Sequence, residues 1–216
     1  MSEKKRGEAY IHSAEKRRFD LFVASSLLPV ELGFRALART QIPSGPVLLL
    51  QERMGANLTP FKLRKMRTLA DDNETPLSPL MNKFRINGID ELPQILNILR
   101  GEMSVVGRRP LLTDEYSEQY DIVGSDREGA KLVDRHRATA GIAKPGMLST
   151  HAIHAHQGDE SIINLASRLE LDIYDFENAS EAHTLELLRT VLSSMRHGEL
   201  QRGSIRLTDS GLGNIL

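Results

Sequence analysis

The chain has 216 residues, 40% of them hydrophobic, with 28 Lys and Arg against 29 Asp and Glu. That length supports one compact unit with a real core plus an appendage, and the near-neutral balance leaves no global positive field for nucleic acid. Zero cysteines exclude a disulfide framework, a zinc-thiolate site and a cysteine nucleophile, and they suit a reducing cytoplasm.

The first residues are charged and polar, with no apolar core or small-residue cleavage site before Phe19, so no signal peptide is expected. The first apolar run, residues 21–38, is interrupted by Pro29 and carries Glu31 and Arg35, too short and too charged for a continuous span. One reading is a helix broken at Pro29 that dips into one leaflet, with Lys16, Arg17 and Arg18 at anionic headgroups. The other is a core helix.

Residues 47–50 and 61–67 read as strands that pair as a hairpin across 54–60, and residues 103–106 as a third extended piece. Residues 71–79, with two prolines and several acids, read as a loop; residues 111–120, 160–178 and 181–195 read as helices. After Met195 the sequence turns polar and Gly-rich, and a loose tail is expected.

The most informative stretch is Arg85-Ile86-Asn87-Gly88-Ile89-Asp90-Glu91-Leu92-Pro93-Gln94. Leu92, Ile95, Leu96 and Leu99 recur at helical spacing and stop at Gly101, while Pro93 is tolerated because first-turn amides lack intrahelical partners. Asp90 therefore falls at or near the N-cap, where free backbone amides and the helix dipole favour negative charge and an ionised Asp is a usable nucleophile. Asp and Glu in those places are also the ordinary way to start a helix. Basic chemistry on either side tilts the reading toward phosphate. Arg53 in Gln51-Glu52-Arg53-Met54-Gly55, Lys65 and Arg67 in the segment from Phe61 to Thr68, Arg85, and Arg108 and Arg109 before Pro110 all stand beside turn residues or along a strand-like alternation. Any one suits a solvated face; together they resemble a phosphate clamp, since guanidinium forks bind phosphate oxygens bidentately.

With these motifs in order, the chain resembles the bacterial sugar transferases, the monotopic polyprenyl-phosphate phosphoglycosyl transferases. Lys16-Arg17-Arg18-Phe19-Asp20 is similar to the family's basic approach to its membrane helix. Gly45-Pro46-Val47 with Gln51 to Gly55, and Phe61 to Thr68, are similar to two further segments. Asp90-Glu91-Leu92-Pro93-Gln94, Asn97, Leu99 to Gly107 and Arg109-Pro110 resemble its most distinctive block, and Lys144-Pro145-Gly146 its later turn. Arg168-Leu169-Glu170 with Asp172, Tyr174, Glu177-Asn178 and Ser180 resembles its closing helix.

The resemblance implies a helix-rich α+β fold with a small β-hairpin and an N-terminal broken helix, re-entrant or interfacial. It divides the chain into a membrane-associating segment 1–40, a catalytic domain 41–196 and a flexible tail 197–216. The implied reaction moves a phosphosugar from a UDP-sugar to polyprenyl phosphate through an aspartyl-phosphosugar intermediate, beginning glycoconjugate or exopolysaccharide synthesis. Asp90 would be the nucleophile, and Glu91 would hold Mg2+ with it or orient it. Lys65, Arg85 and Arg109 match family positions that contact phosphate or the dyad, and Arg53, Arg67, Arg108 and Lys144 complete the expected phosphate-binding set. The implied partners are the UDP-sugar, undecaprenyl phosphate and the cytoplasmic face of the bacterial inner membrane, with a homodimer left open and no nucleic acid.

The chain departs from the family at Arg108, where proline is usual, at Gly88, often serine, and at Met147-Leu148-Ser149 in place of Ile-Thr-Gly. The alternatives are a non-catalytic homologue that binds nucleotide-sugar or lipid phosphate in a regulatory role, and a peripheral module binding membranes or anionic polymers through its basic strips. His151, His154 and His156 lack an acid or cysteine frame and read as a surface cluster rather than a metal site. Arg135-His136-Arg137 reads as a charged surface face, with a second phosphate or headgroup contact as the sharper option. There is no Gly-x-Gly-x-x-Gly and no Walker loop.

Overall fold

A computed structural model describes residues 3–70, 72, 74–151, 153 and 165–196. Helix α1 (Glu3–Ile11) leads into α2 (Ala14–Gln41), whose start is capped by Ser13, its hydroxyl accepting from the Lys16 amide at 3.0 Å. The hairpin follows as β1 (Leu48–Met54) and β2 (Pro60–Met66), then α3 (Pro79–Ile86). A 3-10 segment, Ile89–Gln94, runs directly into α4 (Ile95–Arg100). The rest comprises β3 (Ser104–Val106), α5 (Thr113–Val123), α6 (Arg127–Ile142), β4 (Gly146–Leu148), α7 (Leu165–Glu177) and α8 (Glu181–Arg196). The fold is helix-rich α+β with small sheets, as the sequence implied.

The hairpin is antiparallel from Leu48 opposite Met66 to Met54 opposite Pro60, so β1 continues past the Leu run into Gln51-Glu52-Arg53. Strand β4 was not expected, because Pro145-Gly146 reads locally as a turn; its parallel partner β3 is remote in sequence, with Ser104 opposite Gly146 and Val106 opposite Leu148. The two chains come so close here that a β carbon on Gly146 would lie 2.0 Å from the Gly107 nitrogen. Helix α3 begins where the expected loop ends, on a Ser78 cap with Pro79 in its first turn. Helix α6 also escaped the sequence reading, since charged residues surround its buried Val133, His136, Thr139 and Ala140. Residues 160–164 of the expected helix 160–178 and the tail 197–216 lie outside the described residues.

Helix α2 corrects two expectations. It is a single 28-residue element that contains Pro29, with no chain reversal there. Proline removes one amide donor, but its ring is exposed and the flanking turns stay helical. The helix also extends beyond the apolar run at both ends, and Glu31 and Arg35 pair with each other at 3.2 Å, one turn apart. It contains an 18-residue window of mean hydropathy 1.5, only 17% buried, and is long and apolar enough to cross a membrane. One face, Lys16, Asp20, Ala24, Glu31 and Ala38, is buried against the protein, at intervals of four and seven that keep one stripe. The opposite face leaves Phe22 71% exposed, with Val30 and Leu32 also in the open.

The core lies under that stripe. Ala24 packs with Leu63, Ile95, Ile98, Met103 and Val105, while Ala38 packs with Met66, Met81 and Phe84. Phe34 meets Phe84 edge to face at 5.3 Å. A separate group, Leu111, Tyr120, Val133 and Leu169, joins α5, α6 and α7.

Candidate active site

The 3-10 segment starts after Gly88, whose φ of 69° puts the N-cap in the left-handed region. Asp90 and Glu91 therefore occupy the first turn, two and three residues past the N-cap, which Gly88 takes in place of the expected Asp90. Asp90 is completely buried; Glu91 is partly exposed. Strand β2 passes across this turn and brings Lys65 to both, its Nζ 3.1 Å from Asp90 Oδ2 and 3.3 Å from Glu91 Oε1. Gln94 Nε2 donates to the other Glu91 oxygen at 3.2 Å.

Asn97 fixes strand to helix. Its Oδ1 accepts from the Arg64 amide, and its Nδ2 donates to the Lys62 carbonyl and to Glu102 Oε2. Arg64 closes the group by pairing with Glu102 at 3.3 Å. Asn97 is fully buried and holds β2 at the Arg64 amide, one position before the lysine, so it sets where Lys65 points. The sequence reading quoted Asn97 only as part of a motif; the signal was a polar residue between apolar neighbours of a short helix.

The expected phosphate-binding residues divide. Arg53, half-buried, contacts Gln51 and the Pro110 carbonyl and pairs with Glu115 at 3.7 Å. Burial acts against its charge most strongly, Glu115 supports it, and the fields of Arg109 and Glu91 also reach it. Arg109 is exposed, and Arg85 lies half-buried in the last turn of α3, five residues before Asp90. Lys65 meets the dyad directly, the Glu91 and Arg109 charges both reach Arg53, and Arg85 stands near the end of the helix that precedes the dyad-bearing turn. Three others are directed elsewhere. Arg67 donates to the Ser44 carbonyl in the turn before β1. Arg108, only 3% exposed, donates to the Met54 and Gly55 carbonyls and ties β1 to the loop after β3. Lys144 lines a separate cavity of ≈ 290 Å³, whose walls include Lys16, Arg17, Asp20, Asp172 and His183 but neither Asp90 nor Lys65.

Two further expectations are corrected by the described residues. Lys16 and Arg17 turn inward rather than toward headgroups. Lys16 is 4% exposed and bonds Asp20 and Ser104, and Arg17 donates to the Ile98 and Leu99 carbonyls at 2.7 and 2.9 Å. His136 is not on a charged surface: it is fully buried, 2.8 Å from the Tyr120 hydroxyl and 3.2 Å from Asp172 Oδ2. A second buried pair, His183 and Asp175 at 2.9 Å, joins α8 to α7. Charge patterning hides such pairs because the partners lie far apart in the chain. His151 is part-buried; His154 and His156 lie outside the described residues.

A buried carboxylate at a helix start, a second acid beside it and a lysine bridging the two make a site for anionic transfer chemistry. The chain belongs to the family described as bacterial sugar transferase, which it matches over residues 11–197. It is 33% identical over 186 residues to the uncharacterized sugar transferase EpsL of Bacillus subtilis (strain 168), covering 80% of this chain and 83% of that one. It is 30% identical to a UDP-glucose:undecaprenyl-phosphate glucose-1-phosphate transferase of Caulobacter vibrioides, over 82% of this chain and 68% of that one. An Escherichia coli (strain K12) protein of the same description is 32% identical over 73% of this chain; the match spans only 35% of that longer protein.

Proposed function

We propose that the protein transfers a phosphosugar from a UDP-sugar to polyprenyl phosphate at the cytoplasmic face of the bacterial inner membrane. Family membership and the relatives' activities support the reaction class. The observation that carries the assignment of residues is Lys65 Nζ standing between Asp90 Oδ2 at 3.1 Å and Glu91 Oε1 at 3.3 Å.

In the first step an Asp90 oxygen attacks the sugar-linked phosphorus, the bond to the bridging oxygen breaks, and its electron pair leaves on UMP. In the second, the phosphate oxygen of the lipid attacks the same phosphorus, forming the lipid diphosphosugar and returning the carboxylate. Asp90 has no exposed surface in this conformation, so attack requires Lys65 to follow the incoming diphosphate away from it. Arg53, Arg85 and Arg109 take the charge that gathers on the departing nucleotide.

Among the described residues no group of three or more His, Cys, Asp or Glu side chains forms a metal cage. Mg2+ asks for less, one or two carboxylates together with substrate phosphates, and Asp90 with Glu91 fits that requirement. Bound there, it would neutralise charge on the diphosphate.

The test is release of UMP across a panel of UDP-sugars with undecaprenyl phosphate and Mg2+, with mass spectrometry of the protein before the acceptor is added. A mass increase of one phosphosugar on Asp90, absent together with turnover in Asp90→Asn, is the expected result. Turnover that survives Asp90→Asn overturns the assignment.

A further inference from the structure

Arg108 was expected to bind phosphate, yet its side chain is 3% exposed and turned into the protein. Its Nη2 donates to two successive main-chain carbonyls, Gly55 at 2.6 Å and Met54 at 3.3 Å. Bonds from a charged donor to a carbonyl are stronger than those between neutral groups, and burial keeps water from competing for them. The Arg108 main-chain carbonyl in turn accepts from the Gly146 amide at 2.8 Å. One residue thus joins the end of β1, the loop after β3 and the start of β4.

The chain neighbours of these contacts are two arginines of the proposed clamp. Arg53 precedes Met54 on β1, and Arg109 follows Arg108 on the loop. Further along, the same two segments are zipped together: the Met54 amide donates to the Leu111 carbonyl at 2.9 Å, and Arg53 Nη1 reaches the Pro110 carbonyl at 3.5 Å. The Arg109 field acts against the Arg53 charge, so the two side chains left to themselves would spread apart. Beyond Met54 the chain enters a turn in which Asn57 and Leu58 hold φ of 56° and 53°, a conformation that a leucine keeps only when its surroundings impose it. The Arg108 bonds fasten the strand just ahead of that turn.

We infer that Arg108 is a positioning residue for the proposed transfer: through the Met54 and Gly55 carbonyls it fixes the spacing of Arg53 and Arg109, so that both meet the charge on the departing nucleotide. The inference rests on the proposed reaction and adds to it how two of its cations are held.

The experiment is a mutant cycle on the full chain, read as UMP release from the UDP-sugar of highest turnover in the panel above, with undecaprenyl phosphate and Mg2+. Arg108→Met is expected to lower kcat about tenfold while KM for the UDP-sugar moves less than about twofold, because the arginines act on charge that gathers only as the nucleotide leaves. In a background carrying Arg53→Ala and Arg109→Ala, the same substitution should cost less than about twofold, since the side chains it positions are gone. Equal losses in the two backgrounds, or no loss in the parent, overturn the inference. Arg108→Gln, which sheds the charge and keeps an amide donor, carries the same cycle if Arg108→Met lowers the urea midpoint. Asp90→Asn run in parallel separates the two readings: turnover that survives it removes the transfer reading and this inference together, whereas equal losses with Asp90→Asn inactive remove this inference alone.

Discussion

At the scale of single residues, one ammonium group reaches both acids of the candidate site. Lys65 is the cation recorded within ion-pair distance of both Asp90 and Glu91, and Asp90 is fully buried. Replacing it by alanine removes a positive charge shared by two adjacent carboxylates, one of them away from water. Lys65→Ala is expected to cost about 1–3 kcal/mol of stability, read as a lower urea midpoint, because its head is partly solvated. It is also expected to lower kcat/KM for UMP release about 100-fold or more. A variant as active as the parent would show that the phosphate charge is met elsewhere. Lys65→Arg keeps the charge, yet a guanidinium fork cannot occupy the same point between two oxygens, so only partial recovery is expected.

At the scale of elements, α2 is fastened to the core by a buried polar joint. Asp20 Oδ1 accepts from Lys16, from the Ser104 hydroxyl and from the Val105 amide at 3.0 Å, linking helix to β3. Asp20→Asn keeps the shape but strands the Lys16 ammonium without its counter-charge, and a loss of about 3–5 kcal/mol is expected, measured by urea denaturation. A cost below about 1 kcal/mol would mean water reaches Lys16. This joint also shows what sequence reading misses. Lys65 was linked to Asp90 and Glu91 through the motif resemblance alone, whereas the place of those two acids at a helix start was legible because spacing beside glycine and proline is local information. The helix stop at Gly101 and the hairpin were legible for the same reason. Lys16, His136 and Arg108 were not: the sequence put Lys16 at headgroups, His136 on a charged face and Arg108 on phosphate, whereas each is buried against a partner far along the chain. Strand β4 was missed on the same grounds, since parallel pairing leaves no local signature.

At the scale of the whole molecule, α2 serves two environments at once. Its stripe from Lys16 to Ala38 completes the core, while Phe22, Val30 and Leu32 face outward. The polar substitutions Phe22→Ser, Val30→Ser and Leu32→Ser together are therefore expected to reduce flotation with vesicles. Each should change the unfolding free energy, measured by urea denaturation, by no more than about 0.5 kcal/mol. Removing residues 1–41 altogether is expected to do the reverse of solubilising the protein, because Ala24 and Ala38 leave holes in the two packed groups beneath them. If the shortened chain unfolded cooperatively at the parent's midpoint, the helix would be an independent anchor.

The contact between β3 and β4 constrains how the molecule can be diversified. At positions 107 and 146 the permitted alphabet has a single letter, since a methyl on Gly107 would land 2.6 Å from the Lys144 carbonyl oxygen and one on Gly146 would strike Gly107. The loop carrying Arg109 and the loop carrying Lys144 are thus stitched together at a knot that admits no slack. A designer who reshapes one loop inherits a displacement of the other.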